Sequence, residues 1–228
     1  MPVDSLLGTG IYTVPEASRL THVRGARIRR WVRGYSYHSR GKEYESAPVF
    51  QSQLSAIDGV VALGFLDLVE VRFINGFLEV GVTWKVLRKL YPRAVELIGT
   101  DHPFCTRRFK TDGRTILAEL SDGTGEKVLL NLLNNQYELD KIVGPYLYKG
   151  LVFGEEKVTQ WWPLGEDRSV VIDPDRMFGQ PIIADVGVPT AVLARAVRVE
   201  GSVRTVARWY DVDERLVEDA VEFERLAA

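Results

Sequence analysis

Residues 13–34 read TVPEASRLTHVRGARIRRWVRG, a pattern that predicts two short helices joined by a tight turn. Thr13 followed three residues later by Glu16 is a capping box, in which the hydroxyl and the carboxylate bond backbone N–H groups that the first helical turn leaves unpaired. Pro15 is compatible with that turn, because N–H groups there have no acceptor within the helix. Gly34 is placed to end the second helix as a C-cap. Two helices joined in this way are typical of a helix-turn-helix.

The second helix of this stretch, predicted over residues 25–34, separates apolar from basic side chains. On a helical wheel Ile28, Trp31 and Val32 share one arc, and four arginines occupy the opposite arc. Residues 17–42 include eight basic residues and no acidic one, although the whole chain has a formal net charge of −2. Such segregated basic charge indicates a polyanionic partner, and we interpret it as a DNA-binding surface. The candidate DNA-binding residues are Arg24, Arg27, Arg29, Arg30, Arg33, Arg40 and Lys42.

Composition places the chain among folded globular proteins, with 228 residues of which 46% are apolar and 26% charged. The single cysteine, Cys105, excludes an internal disulfide and a cysteine-based zinc site, and the three histidines have no metal-ligand spacing. We therefore expect no metal and no cofactor. The amino terminus lacks the pattern of a signal peptide, and no apolar run approaches the ~20 residues that span a bilayer. We expect a cytoplasmic protein that does not associate with membranes.

The region after the arginine helix predicts a hairpin followed by two packed helices. Residues 35–53, rich in Tyr and Ser with an Arg-Gly-Lys turn at 40–42, would suit a wing beside a helix-turn-helix. Between residues 62 and 94 the apolar residues return at helical spacing in two segments separated by Gly81. We expect these two helices to end near Pro92, because proline removes a helical hydrogen bond.

The order of helix-turn-helix, wing, a helix containing DLVEVRFINGFLEVGVTW and a following LRKLY resembles the MerR-type DNA-binding domain over about residues 11–97. MerR-type regulators usually continue with one long dimerisation helix. Here Pro92, Gly99 and Pro103 interrupt the chain, so we expect a homodimer whose contacts lie outside the helix pair at 66–91.

The middle of the chain, residues 101–165, is interpreted as a small α/β connector with β-hairpins. Residues 104–120, FCTRRFKTDGRTILAEL, alternate apolar and polar residues on both sides of Asp112-Gly113, a dipeptide well suited to a two-residue hairpin turn. The segments VTQWWPL and SVVIDP predict two more strands around Gly165.

The last block, residues 166–228, predicts three helices after an extended segment. Pro189 with Thr190 opens the first helix, Ser202 caps the second, and Asp211 or Asp213 caps the third. Between residues 211 and 224 there are seven acidic residues and one basic residue. Phosphates would repel such a helix, so it is either an ordinary solvated face or a contact for a basic protein partner. The candidate partner-binding residues are Trp161, Trp162, Glu214, Glu218, Asp219 and Glu222.

The ordered set VVIDPDRMFGQPII, VPTAVLARAV and SVRTVARWYDVDERLVEDAVEFE resembles the short uncharacterised domain common in bacterial antitoxins of the VapB-like class. Residues 184–187 stand where that family more often has a Gly-Thr-Arg turn, so the role of that arginine is not transferred. A MerR-like front end joined to this domain is similar to mycobacterial VapB-like antitoxins. The resemblance implies a PIN-domain ribonuclease toxin as partner and repression of the protein's own operator DNA.

We therefore predict an α+β, mainly helical chain with a MerR-like winged helix-turn-helix at 11–97, the connector at 101–165 and a three-helix antitoxin domain at 166–228. The predicted function is that of an antitoxin and autorepressor. We expect no enzyme, because the sequence offers no nucleophile with a base and an orienting group; Asp101-His102 beside Cys105 is better explained as a turn followed by a buried thiol. The alternative is a one-component MerR-like regulator that senses a small molecule in an apolar pocket around Tyr146, Tyr148, Trp161 and Trp162.

Overall fold

The computed structural model describes residues 8–39, 41–124 and 147–227 of the chain. The chain divides into two compact units. The N-terminal unit comprises Tyr12–Tyr148 and Glu155–Lys157, and the C-terminal unit comprises Met1–Ile11, Lys149–Gly154 and Val158–Ala228. The three domain boundaries that the sequence suggested stay a prediction.

The stretch at residues 13–34 folds as two helices, as the sequence predicts. Helix α1 spans Val14–Thr21 and helix α2 spans Gly25–Arg33. The hydroxyl of Thr13 accepts a hydrogen bond from the Glu16 N–H at 3.4 Å, and the Glu16 carboxylate accepts one from the Thr13 N–H at 2.7 Å. The predicted capping box is confirmed. The buried side chains of the two helices are Val14, Ala17, Leu20, Ile28 and Trp31.

Two small antiparallel pairs flank these helices. Strand β1 at Tyr12–Thr13 pairs with β4 at Ala62–Leu63. Strands β2 at Tyr35–Ser39 and β3 at Lys42–Ser46 form a hairpin at the position proposed for a wing. The helices and the hairpin are present as expected, whereas their classification as a MerR-like winged helix-turn-helix stays a prediction.

Helices α3 at Phe65–Glu79 and α4 at Trp84–Ile98 form the predicted helix pair. α3 is buried around almost its whole circumference, which makes it the core helix of the N-terminal unit. The expectation that the pair ends near Pro92 is wrong, because α4 runs through this proline to Ile98. The ring of Pro92 is exposed, and buried side chains on both sides of it, including Tyr91 and Ala94, hold the helix against its neighbours.

The hairpin predicted over residues 104–120 is wrong, because this segment forms a short 3-10 turn and then helix α5 at Arg107–Thr124. The hydroxyl of Thr106 accepts a hydrogen bond from the Phe109 N–H at 3.0 Å and so caps the helix start. Gly113 lies inside the helix without a positive φ. The buried side chains of α5 recur at helical rather than alternating spacing: Phe109, Ile116, Leu117 and Leu120. A helix of 18 residues thus follows α4, where the sequence had suggested that a long helix is missing.

The C-terminal unit combines two strand pairs with three helices. Strands β5 at Leu151–Phe153 and β6 at Val158–Trp161 form a hairpin, and β7 at Val170–Val171 pairs with β8 at Ile182–Ile183. The strands predicted in VTQWWPL and SVVIDP are therefore confirmed. The hairpin element of the predicted connector exists, but it lies at 151–161 and not at 104–120.

The three predicted C-terminal helices are confirmed as α6 at Thr190–Glu200, α7 at Val203–Tyr210 and α8 at Glu214–Leu226. Ser202 caps α7, because its hydroxyl accepts a hydrogen bond from the Thr205 N–H at 3.2 Å. Asp213 caps α8 by accepting one from the Arg215 N–H at 2.8 Å. The described chain is thus a mixed α/β protein in which helices dominate and the sheets are small and antiparallel.

Candidate nucleic-acid interface

Helix α2 presents its arginines to solvent as the wheel predicts. Ile28 and Trp31 are buried, and Trp31 stacks on Trp84 of α4 with ring centroids 5.8 Å apart. This packing holds the opposite side of the helix outward. The exposed arginines of α2 and its N-cap are Arg24, Arg27, Arg29, Arg30 and Arg33.

The arginines differ in how firmly the protein holds them. Arg27 donates a long hydrogen bond of 3.4 Å to the Asn75 side chain, and Arg33 donates one of 2.6 Å to the Gly59 carbonyl. The guanidinium carbon of Arg30 lies 5.2 Å from the centre of the Tyr35 ring, within the range of a cation–π contact. Each of these contacts orients a guanidinium group but leaves it unneutralised.

Two arginines of this face have no such contact. In the described parts of the chain, no hydrogen bond or ion pair involves the side chains of Arg24 and Arg29. Both keep their full hydrogen-bonding capacity, and a guanidinium group can bind a phosphate or the O6 and N7 atoms of guanine with two parallel bonds. These two side chains are therefore the least committed to the fold.

Arg27 and Arg30 flank one side of α2, where they border a cleft of about 170 Å³. Its walls are aromatic and aliphatic as well as basic: Arg27, Arg30, Trp31, Tyr35, Leu78 and Trp84. Arg33 borders a larger cavity of about 580 Å³ that adjoins residues 48–56 and the start of β4. Arg27 and Arg30 thus border one cavity beside α2, and Arg33 borders another.

The hairpin β2–β3 adds a feature that the sequence reasoning missed. Tyr37 and Tyr44 face each other across the two strands, and their rings stack at 5.5 Å. Both are exposed, by 45% and 42%. Lys42 is exposed on the same hairpin, and Arg40 lies outside the described residues. Aromatic rings beside basic side chains suit contact with nucleic acid, and the alternation of tyrosines at 35 and 37 opposite 44 was the available signal.

Helix α3 contains buried acidic residues that the sequence reasoning did not identify. Asp67 accepts hydrogen bonds from the Ser52 hydroxyl and the Gly64 N–H, both at 2.7 Å, and its other oxygen lies 2.7 Å from His102 Nε2. Glu70 accepts a bond from the Phe104 N–H at 3.0 Å. Burial raises the pKa of the Glu70 carboxyl well above its usual range, because a buried site disfavours the charged form.

Cys105 lies buried in the same region as Asp67 and Glu70. Its thiol is fully buried and lies 3.4 Å from the Leu66 carbonyl, to which it donates. Burial raises the pKa of the Cys105 thiol, and the nearby carboxyl of Glu70 raises it further. The sulfur is therefore a neutral thiol rather than a nucleophilic thiolate, in agreement with the interpretation of a turn followed by a buried thiol.

In the C-terminal unit the predicted partner-binding residues separate into two groups. Glu214 and Glu218 are exposed and Trp162 is half-buried, but Trp161 is only 6% exposed. The interpretation of the acidic residues of this last helix as a solvated face or a partner contact is wrong for Asp219, because the residue is only 8% exposed.

Arg168 explains the burial of Asp219. Its Nε donates to Asp219 at 2.7 Å and its Nη2 to Glu222 at 2.5 Å, while the Ser169 N–H donates to Asp219 at 2.8 Å. Burial disfavours the charged form of Asp219, but these donors outweigh it and lower the pKa of Asp219 below its usual value. Asp219 and Glu222 thus have a structural partner within the chain.

Two further features of the described residues concern metals and membranes. They contain no group of three or more His, Cys, Asp or Glu side chains arranged to hold a metal ion. None of the described helices combines the length and the apolar character needed to cross a bilayer.

Comparison with known proteins finds one matching family model and one similar protein of almost the same length. The family model described as "Protein of unknown function (DUF433)" matches residues 170–223, which include α6, α7 and most of α8. The chain is 25% identical over 223 residues to the Mycobacterium tuberculosis protein named "Putative antitoxin VapB45", covering 93% of this chain and 92% of the relative. The chain is therefore similar to this putative antitoxin over almost its whole length. The similarity to VapB-like antitoxins is thereby confirmed at this coarse level, whereas the similarity to MerR-type domains stays a prediction.

A solved structure shows a similar fold. The X-ray crystal structure of Rv2018 from Mycobacterium tuberculosis matches 92% of this chain and 96% of its own, with a TM-score of 0.71 and 25% sequence identity. The similarity therefore includes both compact units and is not limited to the DUF433 segment.

Proposed function

We propose that this protein is the antitoxin of a type II toxin–antitoxin system, which neutralises a PIN-domain ribonuclease toxin and represses its own operator. The observation that supports the DNA-binding half is the exposed arginine face of α2, which is opposed by no acidic side chain between residues 17 and 42. The similarity to the VapB45 relative supports the antitoxin half.

In this proposal α2 lies in the major groove of the operator. Side chains near the amino-terminal end of such a helix approach base edges, whereas those beyond its middle contact phosphates. Arg24, Arg27 and Arg30 are then the candidates for base reading, and Arg33, Arg40 and Lys42 provide positioning charges. Tyr37 and Tyr44 extend the surface through the hairpin, because their exposed stacked rings lie on the same element as Lys42.

The test of DNA binding uses the full-length chain and the DNA upstream of its own gene. Arg24→Ala should cost about 1–3 kcal/mol on the preferred operator and relax preference at one base pair, whereas Arg33→Ala should weaken all sequences alike. Loss of a phosphate contact should also reduce the slope of log affinity against log salt by about 0.9 per site.

Arg215→Ala is the matched control, because it removes an exposed arginine from the acidic helix α8. It should leave operator affinity within the error of measurement. The DNA-binding half of the proposal loses its basis if three single variants each bind the operator with wild-type affinity: Arg24→Ala, Arg27→Ala and Arg33→Ala.

The test of the antitoxin half is co-purification with the product of the adjacent open reading frame, since antitoxins are typically encoded beside their toxins. Growth arrest by that product alone, and its relief when this chain is co-expressed, should accompany formation of the complex. A neighbour that is harmless and does not bind would contradict the proposal.

A second candidate function, a one-component regulator that senses a small molecule, is favoured by the cavity of about 580 Å³ beside α2. Buried side chains of Val49, Phe50 and Leu54 border it, together with the polar Gln51. The pocket that the sequence suggests for this function includes Tyr146, which lies outside the described residues. Two results would favour this second function: an operator affinity that changes when a metabolite is added, and an adjacent gene whose product is not toxic.

A further inference from the structure

Helices α6 and α7 of the C-terminal unit expose apolar side chains that their own packing leaves uncovered. Val192 and Val199 lie seven residues apart and therefore on one face of α6, and they are 43% and 82% exposed. Trp209 on α7 is 60% exposed. The two helices pack on each other and on α8 through their other faces, where Leu193 and Val206 are fully buried.

The same two helices are basic, whereas the helix that follows is acidic. Between residues 190 and 210 there are four arginines and one glutamate, a net charge of +3. Helix α8 has five acidic residues and two arginines, a net charge of −3. Arg204 forms an ion pair with Glu214, with 3.5 Å between Nε and the carboxylate oxygen. Among the described residues, no acidic side chain forms an ion pair with the remaining three: Arg195, Arg198 and Arg208.

We define the α6–α7 surface by its exposed apolar and unpaired basic side chains: Val192, Arg195, Arg198, Val199, Arg208 and Trp209. Tryptophan and arginine are the residue types most often found to dominate the binding energy of protein interfaces. A partner that complements this surface must offer carboxylates for the arginines and an apolar recess for the indole.

Arginine beside an aromatic ring also suits single-stranded nucleic acid, but the surroundings disfavour that partner. Glu200 ends α6, and Asp211 and Asp213 follow α7 directly, so acidic side chains border both helices. A nucleic-acid strand carries a negative charge at every phosphate and would meet these carboxylates, whereas a folded protein can confine its own carboxylates to positions opposite the arginines. Val192 and Val199, in addition, have no flat face on which a base could stack.

We propose that the α6–α7 surface is the site at which the toxin docks, through an acidic patch that surrounds an apolar recess for Trp209. This inference rests on the proposed function, since it names where and by what chemistry the toxin is bound. It differs from the sequence-based candidates, which were the tryptophans of β6 and its neighbour and the acidic residues of α8.

The experiment measures affinity between the full-length chain and the product of the adjacent open reading frame at two salt concentrations. Trp209→Ala should weaken binding about 30-fold or more, as expected for an interface anchor. Arg208→Glu should weaken it about 10-fold or more and reduce its salt dependence, because an attractive charge pair becomes repulsive.

The matched control is Arg215→Glu, which reverses an exposed arginine on α8 and should change affinity less than about threefold. Thermal melts and operator binding should be unaffected in all three variants, since the altered side chains are exposed. Two variants of different chemistry keep the test valid if one of them proves less stable than wild type.

Each result separates this inference from the proposed function. If the wild-type chain binds the neighbour and Trp209→Ala and Arg208→Glu bind equally well, the docking surface is wrong while the antitoxin assignment stands. If the wild-type chain does not bind, the antitoxin assignment fails and the docking site with it. Two further outcomes would overturn the inference, provided that Trp209→Ala keeps its affinity for the toxin. In the first, the free protein changes from dimer to monomer, which would make the surface a dimer contact. In the second, the variant loses binding to single-stranded DNA, which would assign the surface to nucleic acid.

Discussion

At the scale of single residues, two acidic side chains of α3 show how neighbouring carboxyls acquire different environments. Asp67 lies near the start of the helix and is surrounded by donors, namely the Ser52 hydroxyl, backbone N–H groups and His102. Glu70, one turn later, receives the Phe104 N–H on one oxygen, and its other oxygen has no hydrogen-bond partner in the described parts of the chain. Burial without sufficient donors favours the neutral carboxyl of Glu70.

Glu70→Gln should therefore make the protein more stable than wild type at neutral pH. Because the pKa of Glu70 is raised in the native state, the folded protein keeps this proton at pH values where the unfolded chain has lost it. The stabilising contribution of Glu70 is therefore complete below the unfolded pKa of about 4.5 and is lost as pH rises through the native pKa. The stability difference should increase by up to about 1.4 kcal/mol per pH unit in that window.

Urea unfolding at pH 4, 6 and 8 measures this effect. Glu96→Gln, on the exposed side of α4, is the control and should follow the wild-type pH dependence, because this side chain is exposed in both states. Identical pH dependence in wild type and Glu70→Gln would show that folding does not raise the pKa of Glu70.

Trp31 contributes to the packing of α2 against α4 rather than to DNA contact. It is 3% exposed and stacks on Trp84, and both rings fill the space between α2 and α4. Trp31→Ala should lower the free energy of unfolding by about 3–5 kcal/mol through the cavity it leaves. Arg29→Ala, on the opposite side of the same helix, should change it by less than about 0.5 kcal/mol. Equal stability of the two variants in urea would contradict the described packing of α2.

At the scale of elements, α5 shows how one dipeptide serves two structures. Asp-Gly favours a hairpin turn because glycine accepts a positive φ, but glycine also accepts helical angles at a modest cost. The apolar side chains favour the helix over the hairpin here. Phe109, Ile116 and Leu120 share one helical face, and that face is buried within the N-terminal unit.

Gly113→Ala separates the two structures experimentally. A Cβ at Gly113 would meet only the Phe109 ring at 3.8 Å, an ordinary van der Waals distance. In a helix the substitution should stabilise the protein by about 0.5–1 kcal/mol, whereas in a turn with positive φ it would destabilise it. Gly99→Ala is the contrasting control, because Gly99 ends α4 with φ +83° and its alanine variant should be destabilised. A loss of stability in Gly113→Ala, seen by thermal melt, would argue for the turn.

At the scale of the whole molecule, opposite charges are placed on different elements while the total stays near zero. The basic residues of α1 to β3 are offset by acidic residues such as those of α8, and the net charge is −2. Part of that acidic charge is used inside the C-terminal unit, where Arg168 connects the segment before β7 to α8. This ion pair joins residues 51 positions apart in the chain.

Asp219→Asn should destabilise the protein at neutral pH and progressively less at acid pH. The lowered pKa of Asp219 means that its contribution is present above the unfolded pKa of ~3.9 and is lost as pH falls through the native pKa. We expect a cost of about 1–3 kcal/mol at pH 7, reduced because Arg168 is partly exposed. Urea unfolding at pH 7 and pH 3 tests this, with the exposed Asp185→Asn as control. An equal cost at both pH values would mean that the charge of Asp219 is not involved.

The sequence by itself determined the elements whose signals lie within a few residues of one another. The Thr13 capping box, the apolar side of α2 and the caps of α7 and α8 could all be identified, because each depends on residues two to four positions apart. Similarity to antitoxins was also readable as an ordered set of short motifs. The sites for DNA and toxin stay predictions.

Only the tertiary structure decided which side chains are buried and paired across long separations. His102 meets Asp67 across 35 residues, and Asp219 meets Arg168 across 51. The acidic pattern of α8, taken as an isolated helix, assigns Asp219 to solvent. The alternation of apolar and polar residues around Asp112-Gly113 resembles a strand pair as long as the packing partners of the segment are unknown. In each case the burial of an apolar face or the pairing of a charge with a distant residue outweighs the local preference, and those partners are defined only once the chain has folded.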